Sequence, residues 1–411
     1  MSWITRYPRI SIVIPTYNHA RFLAEAIRSA LDQTWQDFEI IVVDDGSTDD
    51  THRVVAQFGQ SVKYIRQENG GLAAARNAGI RAARGREIGL LDADDVWLPD
   101  YLMTMLTALE SDSRVGAVYC GWQYIDEAGN SLPRVNVRVV PPDQAYQAMV
   151  HMDFLVPSGV LVRRDCFDDL GLFDESLRDT QGCEDWDMWL RILKQYRMIG
   201  VPQALVKYRI YGQSMSSNLE GMERAKRAVI RKHFGEDEVC STIARLAYGG
   251  LFLGSALTYL QHDQMEQGRY FLRRAFAVRP ELAGSLDAFY QLALTSQPAG
   301  SRGVFQLLDF EPTAQKTMEN LDAVFDADVT SREPPPRKSE AYGNAYLALA
   351  LLAYGCKRHP LSRWYLLQAL RVCPALIFHP QALPTLVRAF LGTRLVGHLK
   401  RLRKSLTTPS Q

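Results

Sequence analysis

Leu90-Leu91-Asp92-Ala93-Asp94-Asp95 sets three carboxylates within four residues, directly after a short apolar run. Carboxylates this close repel one another, so the cluster calls for a compensating cation or for a place in a turn. Such oxygens suit hard divalent ions, Mg2+ or Mn2+, and an ion held this way also grips a substrate's phosphates. Two further polar groups stand out. Asp44-Asp45-Gly46-Ser47 closes a β-branched run, and Glu184-Asp185 opens a stretch with Trp186, Trp189, Leu190 and Leu193 at helical spacing. The purely structural role for the first is a turn, and for the second a helix start whose acids favour the dipole.

These groups need a scaffold, and the first half of the chain supplies one. Strands are expected at 10–15, 38–43, 62–65 and 87–91, and helices at 22–31, 51–58, 71–83 and from Asp100. Alternation of this kind predicts βαβ crossovers and a mainly parallel, Rossmann-like sheet, so the fold class is α/β. Ligands of such sheets bind beyond the carboxyl ends of the strands, where 15–18, 44–47 and 92–95 all fall. Strands at 115–124, 134–140, 156–163 and 205–211 and a helix at 184–196 complete a first domain, 1–220. The second, 221–411, reads as all-helical.

Within that second half, 256–282 aligns without gaps on 350–376: Arg269, Leu272, Ala275 and Pro280 answer Arg363, Leu366, Ala369 and Pro374. The pattern of helix, turn, helix and Pro resembles a tetratricopeptide-type hairpin; an irregular bundle is the alternative. A mobile linker is expected near 325–340, around Pro334-Pro335-Pro336. Arg388 to Lys404 reads as a basic amphipathic helix, fit for an anionic membrane surface or for packing on the repeats.

The chain has 411 residues and a formal charge of +1, which gives no drive toward nucleic acid. Six scattered cysteines without a C-x-x-C pair argue against structural zinc and a disulfide framework, and fit a reducing cytosol. No secretory leader is expected, and 246–260, the most apolar window, contains Gly249, Gly250 and Gly254, which favours a packed helix over a membrane span.

Five segments, in order, resemble the motifs of family 2 glycosyltransferases of the GT-A fold. They are Val13-Ile14-Pro15-Thr16-Tyr17-Asn18, Val43 to Asp49, Asn69 to Asn77, Asp92-Ala93-Asp94-Asp95 and Glu184 to Arg191, within 8–215. The resemblance implies that Pro15, Thr16, Tyr17 and Asn18 wall a nucleotide pocket, where the Tyr17 ring stacks on a base for roughly 1–3 kcal/mol. It implies that Asp45 accepts a hydrogen bond from the base, while Asp44 caps the turn. Arg76, with the helix start at Gly70-Gly71, would meet the diphosphate; its alternative is a salt bridge to aspartates when no ligand is bound. Asp92 and Asp94 match the D-x-D element, Asp94 at the ribose and metal, with Asp95 completing coordination of Mg2+ or Mn2+. Asp185 matches the catalytic base, with Glu184 beside it. An acceptor hydroxyl needs such a carboxylate to take its proton, and burial beside tryptophans raises a carboxyl pKa as a base requires.

The expected activity is inverting transfer of a single sugar from a nucleotide-diphosphate sugar to a saccharide or lipid-linked acceptor, in bacterial surface glycan synthesis. UDP is the family's commonest carrier, with GDP and dTDP also used. The expected location is cytoplasmic, peripheral at the inner face of the membrane through 388–404, with a protein partner for the helical domain. Two departures matter. Tyr211 stands where the family's Y-R-x-H-x-x-S-x-S stretch commonly has His, and no Q-x-x-R-W motif follows Glu184-Asp185, which argues against a processive synthase. The first also motivates an alternative, an inactive scaffold acting through its helical half.

Overall fold

The computed structural model describes residues 7–180, 182–212, 218–326 and 337–381. It divides into two compact units, Met1–Asp237 and Glu238–Gln411.

In the first unit, strands β1 (Ile10–Thr16), β2 (Phe38–Asp44), β3 (Lys63–Arg66) and β4 (Glu87–Leu90) alternate with α1 (Ala20–Leu31), α2 (Thr51–Ala56) and α3 (Leu72–Ala82). Next come β5 (Val96–Trp97), α4 (Tyr101–Leu109), β6 (Val115–Ile125), β7 (Ser131–Asn136), α5 (Ala145–His151), β8 (Val160–Arg163) and α6 (Arg164–Leu170). The unit ends with α7 (Glu184–Gln195), β9 (Arg197–Arg209) and α8 (Leu219–Phe234). One sheet runs β3-β2-β1-β4-β8-β6-β9-β5, with β7 on β6. Strands β3, β2, β1 and β4 are parallel, as expected. Beyond β4 the sheet is mixed, because β8 runs antiparallel to both β4 and β6 while β9 is parallel to β6.

β1 is buried along its whole length, as a strand covered on both faces must be. Gly79 lets α3 lie close to it, since a Cβ there would stand 2.3 Å from Val13 Cγ1. The register aligns Thr16 with Asp44 and Val13 with Leu90, so the three polar clusters leave one sheet edge together.

The structure departs from expectation at four points. The strand expected at 134–140 lies at 131–136. β9 begins at Arg197, earlier than 205, because β6 pairs with it through register shifts that accommodate Gly200 and Pro202. The two-residue β5 was not expected. α8 also belongs with the first unit, so the boundary falls after 220. Buried Asp187 on α7 explains this: it contacts His233 and Lys232 of α8 at 2.8 Å and Arg191 at 2.9 Å.

The second unit is helical: α9 (Thr242–Gln261), α10 (Met265–Val278), α11 (Leu286–Ala293), α12 (Phe310–Asp326), α13 (Lys338–Gly355) and α14 (His359–Val372). The internal echo is structural. α10 and α14, and the short turns at Pro280–Gly284 and Pro374–Phe378, occupy equivalent positions. Left-handed Asp263 and Lys357 turn the two hairpins, at φ 56° and 60°. A Cβ on Gly249 would meet Arg279 Cβ at 2.7 Å, and one on Gly343 would meet Cys373 Cβ at 2.5 Å, the same contact in both copies. Of the expected linker, 325–326 and 338–340 are helical, because Phe325 packs on Phe276 and Tyr342; 327–336 and the basic segment 388–404 lie outside the described residues. α9 is long and apolar enough to cross a membrane, yet 72% of that window is buried inside the structure. The six cysteines are free thiols.

Candidate active site

At the end of β1 the chain reverses through Asn18, whose left-handed φ of 56° suits Asn better than most residues. Its Oδ1 accepts from the Thr48 amide at 2.8 Å, and its own amide donates to Ser47 Oγ at 2.9 Å. Asn18 therefore ties the first polar cluster to the second. Pro15 and Thr16 end the buried strand, and the Thr16 hydroxyl is buried without a partner. Tyr17 is 47% exposed, as a ring available for stacking should be.

Asp44 caps its turn, accepting from the Ser47 amide at 2.7 Å and the Tyr64 hydroxyl at 2.5 Å. Asp45 faces the start of α3. It accepts from Gln67 Nε2 at 2.7 Å and from the Gly70 and Gly71 amides, each at 2.8 Å. Its first task is thus to fix the glycine loop that opens α3, and a contact to a base would be an additional bond.

Arg76 is only 1% exposed. Its Nη2 donates to Asp92 Oδ1 at 2.7 Å and its Nη1 to Glu184 Oε1, so one guanidinium joins β4's cluster to α7. This is the salt bridge weighed as the ligand-free alternative. Burial alone would lower the guanidinium's pKa, but Asp92, Glu184 and Asp185 outweigh it and keep the group charged.

Glu184 and Asp185 stand in the first turn of α7. Burial pushes Glu184 up to about 7, against the pull of Arg76 and with the charge of Asp185. Burial likewise raises Asp185, opposed by Arg76 and assisted by Asp92. Asp153, which sequence reasoning missed, lies within electrostatic reach of Asp185 and is itself raised by burial and by that neighbour.

Asp94 is raised by burial and then by Asp92. Two acids under mutual repulsion, one with its second oxygen bonded to the Tyr211 hydroxyl at 2.8 Å, present hard oxygen donors that suit Mg2+ or Mn2+. Asp95 does not fit the metal role expected of it. It is 1% exposed, its Oδ2 accepts from Ser158 Oγ at 2.6 Å, and its Oδ1 accepts from the Arg209 amide at 3.1 Å. It braces the acidic turn instead. Among the described residues no group of three or more His, Cys, Asp or Glu forms a ready-made metal cage.

Sequence reasoning also missed Arg209. From the end of β9 its Nε donates to the Asp94 carbonyl at 2.8 Å, and its Nη2 donates to Glu25 at 2.6 Å. The signal was its place beside Tyr208 in the late motif. A cleft lined by Arg9, Arg84, Arg86, Arg163 and Arg164 lies at the opposite end of β1 and β4. Arg9 there is paired with Glu87 and Glu110, and Arg84 with Glu39.

The profile of glycosyl transferase family 2 matches residues 11–171. An uncharacterized glycosyltransferase of Rickettsia prowazekii (strain Madrid E) is 34% identical over 231 residues, covering 53% of this chain and 69% of the relative. An uncharacterized glycosyltransferase of Bacillus subtilis (strain 168) is 34% identical over 215 residues, covering 51% of this chain and 78% of the relative. Among solved structures, a mannosyltransferase from Pyrobaculum calidifontis, in complex with GDP-Man and Mn2+, aligns with a TM-score of 0.48 at 21% identity, covering 80% of this chain and 89% of the other.

Proposed function

The chain belongs to glycosyl transferase family 2, and from that premise we propose that it moves a single sugar, with inversion, from a UDP-sugar to a hydroxyl of a saccharide or lipid-linked acceptor. The observation that carries the proposal is the meeting of Asp92, Arg76, Glu184 and Asp185 at the carboxyl edge of the sheet, with Asp94 beside Asp92.

In this reading Tyr17 and the 15–18 turn receive the nucleotide. Arg76 and the start of α3 attract the diphosphate, since a guanidinium and a helix N-terminus both favour phosphate oxygens. Binding of the donor would then compete with the Arg76 bond to Asp92. Asp185 takes the acceptor's proton as the new bond forms, on the face opposite the departing diphosphate. Its raised pKa supports this, because a base works best when its pKa approaches the operating pH. A bound Mg2+ or Mn2+, held by Asp94 with Asp92 nearby, would neutralise charge on the leaving nucleoside diphosphate.

The acceptor class, a role in bacterial surface glycans, and a location at the cytoplasmic face of the membrane rest on the family resemblance and on the basic, apolar sequence of 388–404. The inactive-scaffold alternative drew on Tyr211, whose hydroxyl contacts Asp94 and so keeps the position engaged with the site.

Thermal stabilisation by a panel of UDP-, GDP- and dTDP-sugars, followed by turnover with the donor that binds, tests the proposal. Stabilisation by a nucleotide sugar together with metal-dependent release of nucleoside diphosphate is expected. Binding without turnover would favour the scaffold.

A further inference from the structure

We propose that His19 is a side-chain ligand, with Asp94, for the divalent cation of this transferase. The inference rests on the metal-dependent reading above and names a residue that none of the five motif roles uses.

Three groups meet at one point. Tyr211 Oη donates to Asp94 Oδ2 at 2.8 Å, and His19 Nε2 lies 3.2 Å from the same phenol oxygen. A carboxylate and an imidazole are therefore separated by a single hydroxyl. Their backbones come from three places: the turn after β1, the acidic turn after β4, and the chain leaving β9.

The His19 backbone is fixed. Asn18 before it is pinned by Ser47 and Thr48, and the His19 carbonyl accepts from the Phe22 and Leu23 amides, each at 3.0 Å. The ring sits beside Phe22, 6.4 Å between centroids, and Phe22 in turn packs on Tyr211 at 5.2 Å. Arg21 lies over the opposite partners of this stack, Phe22 and Tyr211. The imidazole is thus held at the cleft by packing on one side while its Nε2 reaches the Asp94–Tyr211 pair.

The donor chemistry favours the histidine over the tyrosine. A neutral phenol whose proton is committed to Asp94 is a weak ligand, whereas a neutral imidazole binds Mn2+ readily. Magnesium prefers oxygen, so a site with one nitrogen and one carboxylate, completed by diphosphate oxygens, selects Mn2+ over Mg2+.

Pulsed electron paramagnetic resonance of Mn2+ bound to the full chain, with whichever of UDP, GDP and dTDP promotes binding, reads the ligand directly. The wild-type protein should show nitrogen modulation that changes to the 15N pattern when histidine is 15N-labelled. His19→Ala should lose the modulation at saturating Mn2+ and bind the ion about tenfold more weakly. His19→Ala/Tyr211→His, which returns an imidazole to the other side of Asp94, should regain both. Tight Mn2+ binding by the wild-type chain with no nitrogen modulation, or modulation that survives His19→Ala, overturns the His19 assignment and leaves the transferase reading standing. If none of the three nucleotides promotes Mn2+ binding, the metal-dependent reading falls and the His19 assignment with it.

Discussion

Replacing Arg76 by Met should expose how much of the first unit depends on one buried cation. The guanidinium is 1% exposed and holds two acids, Glu184 at 5% and Asp92 at 24% side-chain exposure. Removing one partner of a buried ion pair costs about 3–5 kcal/mol, because the remaining charge stays buried without compensation. Asp92 can recover some hydration, which places the expected cost near the lower end, about 3 kcal/mol. For a unit of this size that lowers the unfolding midpoint by roughly 6–12 °C. The deficit depends on pH, and its sign follows from proton linkage. Without Arg76 the folded-state pKa of Glu184 rises further above its unfolded value, so the folded variant binds more protons than the unfolded chain. The variant therefore regains stability as pH falls through the raised pKa toward the unfolded value of about 4.3. Tryptophan fluorescence melting reports mainly on this unit, which holds six of the chain's seven tryptophans, Trp97, Trp122, Trp186 and Trp189 among them buried. Arg76→Met/Glu184→Met should recover part of the loss, since an apolar pair replaces a broken ionic one. A midpoint change below about 2 °C at neutral pH, or a deficit that ignores pH, would refute the assignment of Arg76 as the charge that holds Asp92 and Glu184.

Other consequences follow from single contacts. Asp187→Asn should cost roughly 2 kcal/mol at pH 7, less than a fully buried pair because Lys232 is 38% exposed. Burial raises the Asp187 carboxyl, but bonds from His233 and Lys232 and the charge of Arg191 more than offset this and hold it low. Its contribution is present above the unfolded value of about 3.9 and is lost as pH falls below it, so the parent and variant melting curves should converge in acid; a constant gap would contradict the proposed tether. In the helical unit, Gly249→Ala and Gly343→Ala should each destabilise by about 1–3 kcal/mol through overpacking, despite better helix propensity. Equal or raised midpoints in chemical unfolding would show that these close contacts relax. If the ionised form of Asp185 is the base, as proposed, kcat/KM should rise with pH through an acid limb centred above the ordinary aspartate value of about 3.9; a pH–rate profile with a limb at or below that value would count against Asp185.

Much of this site was legible because its chemistry is local in the chain. Parallel strands β1, β2 and β4 place the residues just after them on one edge, so reading strand ends was enough to gather Asn18, Asp45, Asp92 and Asp94. The tryptophan spacing marked α7, and its first turn delivered Glu184 to the Arg76 guanidinium and Asp185 within its electrostatic reach. What escaped depends on pairing between distant segments. Asp95 reads like Asp94 in a one-dimensional string, but the main chain turns it inward onto Ser158 and Arg209, residues from two other elements. Asp45 reads as a ligand group, yet the glycine amides that it holds become visible only when α3 is docked. The last strand, expected over 205–211, begins at Arg197 as β9, because its pairing with β6 takes up Gly200 and Pro202 through shifts of register. His19 carries no periodicity at all, and its proximity to Asp94 arises from the late segment bearing Tyr211.

The most direct measurement compares donor binding and turnover in the wild-type chain and in Asp185→Asn, using a nucleotide sugar that stabilises both. If Asp185 takes the acceptor's proton, the amide variant keeps its donor affinity and loses about a hundredfold or more in transfer rate. Equal transfer rates in the two proteins, at equal donor occupancy, would contradict the assignment of Asp185 as the base.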